Sequence, residues 1–126
     1  QNIYFDTDQY DLRPESIKEL DNIVRILKQN PQVNVSIEGH TDSRASDSYN
    51  MKLGENRAGA AYDYLVKLGI SPRRLVTVSY GERRPAVAND SPENMQLNRR
   101  TMFRVIPREG DSQQQNQNIN RQMNQN

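Results

Sequence analysis

The sequence predicts an α/β fold: a two-layer sandwich of order β-α-β-α-β-β, with a mixed sheet and the helices packed on it. Three observations carry that expectation. Two stretches repeat apolar residues at three- and four-residue spacing, strand-prone runs precede, separate and follow them, and the turn-forming residues fall at the joints. At 126 residues the chain is long enough for one domain and some extra length.

Ile3-Tyr4-Phe5 is a short β-prone run, closed by the polar stretch Asp6-Thr7-Asp8-Gln9. Pro14 suits the first turn of a helix, where its missing N–H costs nothing. Ile17, Leu20, Val24 and Leu27 then form an apolar stripe, with Ile23 beside it, until Asn30-Pro31 ends the helix. Val33, Val35 and Ile37 alternate with Asn34, Ser36 and Glu38, the pattern of a strand with one buried face. Gly39-His40-Thr41-Asp42 closes that strand, and a polar loop leads to a second helix over roughly 48–68. Ala58, Ala61, Tyr62, Leu65 and Leu68 give its second half a core stripe. Gly69 fits the left-handed position after a helix, with Ile70 folding back onto the last turn. Ser71-Pro72 starts a turn, and Leu75 to Tyr80 is a β-branched strand. Gly81 to Asn98 is expected to be a long loop. Thr101, Phe103 and Val105 alternate with Met102 and Arg104 in a last strand. Strands alternating with helices favour parallel pairing through right-handed crossovers.

Hydrophobic residues make up 33% of the chain and the mean hydropathy is −1.00. That average conceals a split, because periodic apolar positions stop near Ile106. Beyond Gly110, Gln and Asn dominate, and Ile119 and Met123 are the only sizeable apolar side chains. Such a segment is expected to bury too little surface to offset its ordering entropy. The sequence therefore divides into a folded domain, 1–107, and a disordered Gln/Asn-rich tail, 108–126.

Composition removes several classes of function. The formal net charge is +1 with both signs interspersed, so no broad attraction to nucleic acid is indicated, and two Phe with no Trp supply no stacking platform for RNA. No Cys is present, which excludes thiolate chemistry and Cys-based metal sites. His40 is the single histidine, so a relay or a metal centre would have to be built around it alone, and a lone His at a strand end is more often structural. No phosphate-cradling glycine loop occurs, and Arg83-Arg84 and Arg99-Arg100 lack interleaved aromatics. An enzyme, a cofactor and a bound metal are accordingly not expected. No stretch is apolar enough to span a bilayer. Because Gln1 runs almost directly into a strand, the chain is expected to be a piece of a longer protein that meets a membrane only through its upstream region.

One constellation invites a ligand. Asn50, Leu53 and Arg57 share a face of the second helix, and Gly54, one turn before Arg57, is expected to leave open space beside it. Asp42 stands at the C-terminal end of a strand, where α/β sheets place ligand groups. One carboxylate and one guanidinium facing a shared pocket suit an amino acid zwitterion, with Asp42 on the ammonium and Arg57 gripping the carboxylate. Two other readings stay open: Asp42 and Arg57 pair with each other, or Asp42 caps a turn.

Gly39-His40-Thr41-Asp42 followed by Asn50, Leu53 and Arg57-Ala58 resembles the core signature of the OmpA-like (OmpA/MotB) C-terminal domain. Ile3-Tyr4-Phe5-Asp6-Thr7 is similar to that family's first strand. Tyr80-Gly81-Glu82-Arg83-Arg84-Pro85 is similar to the loop after its third strand, and Asn98-Arg99-Arg100 with Phe103-Arg104-Val105 to its last strand. The likeness runs over about residues 2–107 in order. It implies a non-enzymatic domain that binds peptidoglycan through the meso-diaminopimelate of the stem peptide, in the periplasm, anchoring the outer membrane or an envelope complex to the wall. It implies that Asp42 and Arg57 contact that residue, with further contacts from Asp6, Thr7 and Asp8 in the first loop and from Thr41, Asn50 and Leu53. Arg99 is either a lock on the sheet edge or part of the site. Alanine at Asp42 or Arg57 is expected to abolish binding and spare the fold, since both are expected at a pocket rim. Two departures from the family pattern concern loop shape and selectivity. Gly54 replaces a Ser-like residue, and Ser43-Arg44-Ala45-Ser46 lacks a glycine while placing Arg44 over the pocket. A member of the same fold devoted to protein contacts is one competing reading; hydrolysis of the wall is another, disfavoured by the lack of an evident acid/base pair or metal set.

Overall fold

A computed structural model describes residues 3–6 and 8–124. The elements run β1 (Ile3–Tyr4), α1 (Pro14–Gln29), β2 (Val35–His40), α2 (Asp47–Lys67), β3 (Leu75–Gly81), α3 (Pro92–Asn98), β4 (Arg100–Val105) and α4 (Gln113–Asn124), with a 3-10 turn at Pro72–Arg74 before β3. The sheet order is β1-β4-β2-β3. β2 and β3 pair in parallel across the α2 crossover, whereas β4 lies antiparallel between β1 and β2. The expected mixed sheet with helices packed on it is therefore what forms.

The helical stripes explain the layer. Leu20, Ile23, Val24, Ile26 and Leu27 of α1 and Ala58, Ala61 and Leu65 of α2 are buried against Ile3, Phe5, Val35, Ile37, Leu75, Phe103 and Val105. The inward residues of β2 and β4 are the alternate ones that a pleated strand turns to one side. Gly69 takes φ +100°, and the Ile70 N–H donates to the Leu65 carbonyl at 3.0 Å, the left-handed cap that ends α2 as its sequence suggests.

Two segments depart from the sequence expectations. Within the stretch expected to be a long loop, α3 forms. Ser91 accepts the Asn94 N–H at 3.1 Å and Pro92 occupies the first turn, so the starting signals were present in a short frame. The tail expected to be disordered folds as α4. Ile119 and Met123, four residues apart, fall on one face and are buried at 4% and 1% exposure against the core. The polar residues beside them are bound rather than solvated. The Phe103 and Val105 N–H groups donate to Asn124 Oδ1 and Asn120 Oδ1 at 2.9 and 2.6 Å, and Asn124 Nδ2 donates to the Phe103 carbonyl at 2.6 Å. Among the described residues β1 pairs with Thr101 and Arg100, and α4 covers the β4 edge at Phe103 and Val105.

Candidate functional site

The C-terminal end of β2 is held under the first half of α2 by close backbone approach. A side chain at Gly39 would meet the Gly54 carbonyl oxygen at 1.8 Å, and one at Gly54 would meet Ser79 Oγ at 2.1 Å. The space beside Gly54 is thus filled by β2 and β3, a correction to the expectation of open room there. Ser79 Oγ donates to the Met51 carbonyl at 2.7 Å and fastens the same contact. Ser46 caps α2 by accepting the Tyr49 N–H at 3.2 Å, fixing where the helix begins.

A pocket of about 410 Å³ opens at this junction, lined by Asp8, Thr41, Asp42, Arg44, Ala45, Ser46, Tyr49, Asn50, Leu53, Arg57 and Arg99. Six of the eight residues expected at the site therefore meet here. Asp6 does not line the pocket: its carboxylate accepts from Arg13 at 3.0 Å, while its backbone carbonyl serves Arg57. Thr7 lies outside the described residues. Asp8 takes the left-handed conformation, φ +59°, which a short polar side chain tolerates better than most.

Arg57 is fully buried, which corrects the expectation that it stands at a rim. Its Nε donates to the Gln9 carbonyl at 2.8 Å, Nη1 to His40 at 3.1 Å and Nη2 to Asp6 at 2.9 Å. The guanidinium also lies 5.1 Å from the centre of the Phe5 ring. Burial, then the neighbouring Arg99 cation, pulls its pKa down to about 10, so it stays charged at neutral pH. Arg57 thereby ties the loop after β1 to the end of β2 while facing the pocket.

Asp42 pairs with other arginines. Its Oδ2 accepts from Arg99 Nη1 at 2.9 Å and from Arg44 Nη2 at 2.8 Å, and Oδ1 accepts the Arg44 N–H at 3.0 Å. Burial alone would raise its pKa, but the hydrogen bonds from Arg44 and Arg99 outweigh it and hold the carboxyl below its ordinary value. Arg99 is in the site as well as at the sheet. It is buried and donates from Nε to the Phe5 carbonyl at 2.9 Å, and Gln96 of α3 accepts from Nη2. Nothing in the sequence favoured one role for Arg99 over the other, because α3, which was expected to be loop, is what aims it. Asn98, also on α3 and fully buried, accepts the Ala86 and Val87 N–H groups and so pins the preceding loop.

The remaining expected residues are supporting walls. Thr41 Oγ1 donates to the Asp42 carbonyl at 2.8 Å. Asn50 is buried and donates to the Ala45 carbonyl and to Glu82 Oε1 at 3.3 and 3.0 Å. Leu53 contributes the apolar floor. Tyr49, half exposed at the margin, escaped notice in the sequence because it falls outside the helix stripe. His40 turns to the opposite face of the sheet from Gly39, stacking on Tyr80 with ring centres 5.4 Å apart.

A carboxylate held among arginines at a strand end, over an apolar floor, is an arrangement that can take a small polar ligand. Residues 4–99 match the OmpA family, and the chain belongs to that family. It is 45% identical over 101 residues to a peptidoglycan-associated lipoprotein of Pseudomonas putida, an alignment covering 80% of this chain and 60% of that protein. A crystal structure of the peptidoglycan-associated lipoprotein from Burkholderia pseudomallei superposes with a TM-score of 0.80 at 30% identity, covering 84% of this chain and 90% of the other. The C-terminal domain of Helicobacter pylori MotB gives 0.83 at 23% identity over 94% and 93% of the two chains, a likeness of fold.

Proposed function

We propose that this domain binds peptidoglycan non-covalently, through the meso-diaminopimelate of the stem peptide, and so anchors an outer-membrane-associated protein to the wall from the periplasm. Membership of the family, and relatives named for association with peptidoglycan, support the coarser part of this reading. The observation that carries the finer part is the charge pattern. Among the described residues the pocket lining holds three guanidiniums, Arg44, Arg57 and Arg99, against two carboxylates, Asp8 and Asp42. A ligand carboxylate meets that excess of guanidiniums while Asp42 or Asp8 receives its ammonium, so a zwitterionic end adds no net charge to the pocket, whereas an ammonium alone adds one. The far end of diaminopimelate offers both groups on one carbon, while lysine offers the ammonium alone. Lysine leaves a desolvated guanidinium without an anion, a loss of about 1–3 kcal/mol, or roughly 5- to 150-fold in affinity. No bond is made or broken, and the arrangement supports binding rather than catalysis.

Titration of the chain with soluble meso-diaminopimelate and with lysine, followed by amide chemical shifts, tests the reading. Diaminopimelate is expected to move the Thr41 to Arg57 amides at concentrations where lysine leaves them in place. Equal responses to the two amino acids would remove the diaminopimelate assignment.

A further inference from the structure

The acid of the pocket is already satisfied by cations of the chain itself, and the two cations are unequal. Arg99 is buried, and its guanidinium also serves the Phe5 carbonyl and Gln96 Oε1. Arg44 grips the same Oδ2 through Nη2 at 2.8 Å and Nε at 3.3 Å, yet its side chain is 44% exposed. It stands on the polar loop ahead of α2, on the solvent side of Asp42. The Arg44 backbone N–H holds Oδ1 whatever the side chain does. An ammonium approaching Asp42 therefore meets the Arg44 guanidinium in its place.

Resting on the reading of the pocket given above, we propose that Arg44 is a latch that sets the pocket's specificity: its side chain occupies the ammonium position on Asp42, and a zwitterionic ligand enters by displacing it. A ligand with carboxylates only has no reason to move Arg44 and keeps all three arginines. A ligand that also carries an ammonium exchanges one cation for another on Asp42, so its affinity is lowered by the strength of a half-exposed ion pair. That strength corresponds to about 2- to 5-fold in a binding constant. Arg44 thus lowers affinity for a zwitterionic end without excluding it.

The test compares the parent chain with Arg44→Ala and Arg44→Lys, using meso-diaminopimelate and pimelate, which has the same carbon chain and both carboxylates but no ammonium. Arg44→Ala is expected to bind diaminopimelate about 2- to 5-fold more tightly than the parent, with Arg44→Lys between them because lysine cannot form the two-nitrogen grip. Pimelate is expected to gain nothing from either change. Unchanged or weaker binding of diaminopimelate by Arg44→Ala, or an equal gain for pimelate, overturns the latch while leaving the pocket assignment intact. Failure of every variant, parent included, to respond to diaminopimelate overturns the pocket assignment and the latch with it. The Arg44 Nε–H resonance of the parent supplies an independent reading: it shifts on adding diaminopimelate if the latch opens, and its staying fixed under saturating ligand also overturns the proposal.

Discussion

Arg57 gives three N–H groups to the carbonyls of Asp6, Gln9 and His40, so shortening it strips partners from three backbone positions at once. Arg57→Ala is expected to lower stability by about 2–4 kcal/mol, read as a shift of the urea midpoint, because buried acceptors are left without donors. An unchanged midpoint would show that the guanidinium is dispensable for the fold, as a rim position would be. The sequence showed that Arg57 shares a face with Asn50 and Leu53, but not what its head would reach. The loop it binds is distant in the chain and carries no periodic pattern. On the other face of the sheet, Glu38 and His40 are buried with Nε2 of His40 3.5 Å from Glu38 Oε1, too long for a well-formed hydrogen bond. Burial pulls the His40 pKa below 6.5; burial alone would raise Glu38, but the nearby His40 and the Arg104 guanidinium, donating at 2.8 Å, outweigh it and bring Glu38 down to about 2. Both lowered values mean that the unfolded chain takes up protons first, so stability falls as pH falls. The decline is expected to begin near pH 6.5 through His40 and to continue below 4.5 through Glu38. Denaturant unfolding at stepped pH checks it: His40→Leu should flatten the curve between about pH 6.5 and 5, and a parent curve already flat there would contradict the assignment.

At the scale of elements, α1, α2, β2 and β4 were legible because each writes its own period in the chain, and β3 because its residues are β-branched. The helices that were not legible are short or compositionally disguised. α3 has seven residues, too few for a stripe, and α4 has only Ile119 and Met123 to mark its buried face. What holds α4 is a pair of asparagines that complete the β4 edge, an interaction no local pattern announces. Removal of everything after Pro107 is expected to destabilise the remainder by on the order of 2–4 kcal/mol, from lost apolar burial and bare strand-edge groups, less the ordering entropy recovered. Comparison of urea midpoints for the two lengths measures this directly. Equal midpoints would restore the boundary at 107 that composition suggests. α3 bears on function as well, since Arg99 follows it and Gln96 fixes the Arg99 guanidinium. The sequence therefore brought Asp42 and Arg57 to one pocket, while Arg99 stayed undecided between sheet edge and pocket because the helix that aims it was not read.

For the molecule as a whole, the sandwich leaves one end of the sheet to the pocket and gives the helix layer to the core. Among the described residues no helix is long and apolar enough to cross a membrane. For the proposed function even a weak pocket would suffice, because a wall polymer repeats its stems and effective concentration multiplies a modest affinity. The chain spans about 60% of the length of the Pseudomonas putida relative, so the anchor proposed here is one part of whatever the whole protein does. The measurement that bears most directly on wall binding is co-sedimentation of the chain with purified sacculi whose stems carry diaminopimelate, set against sacculi whose stems carry lysine. The expected result is retention by the diaminopimelate wall, weak retention by the lysine wall, and release by soluble meso-diaminopimelate. Equal retention by both walls, or by neither, would contradict the function proposed.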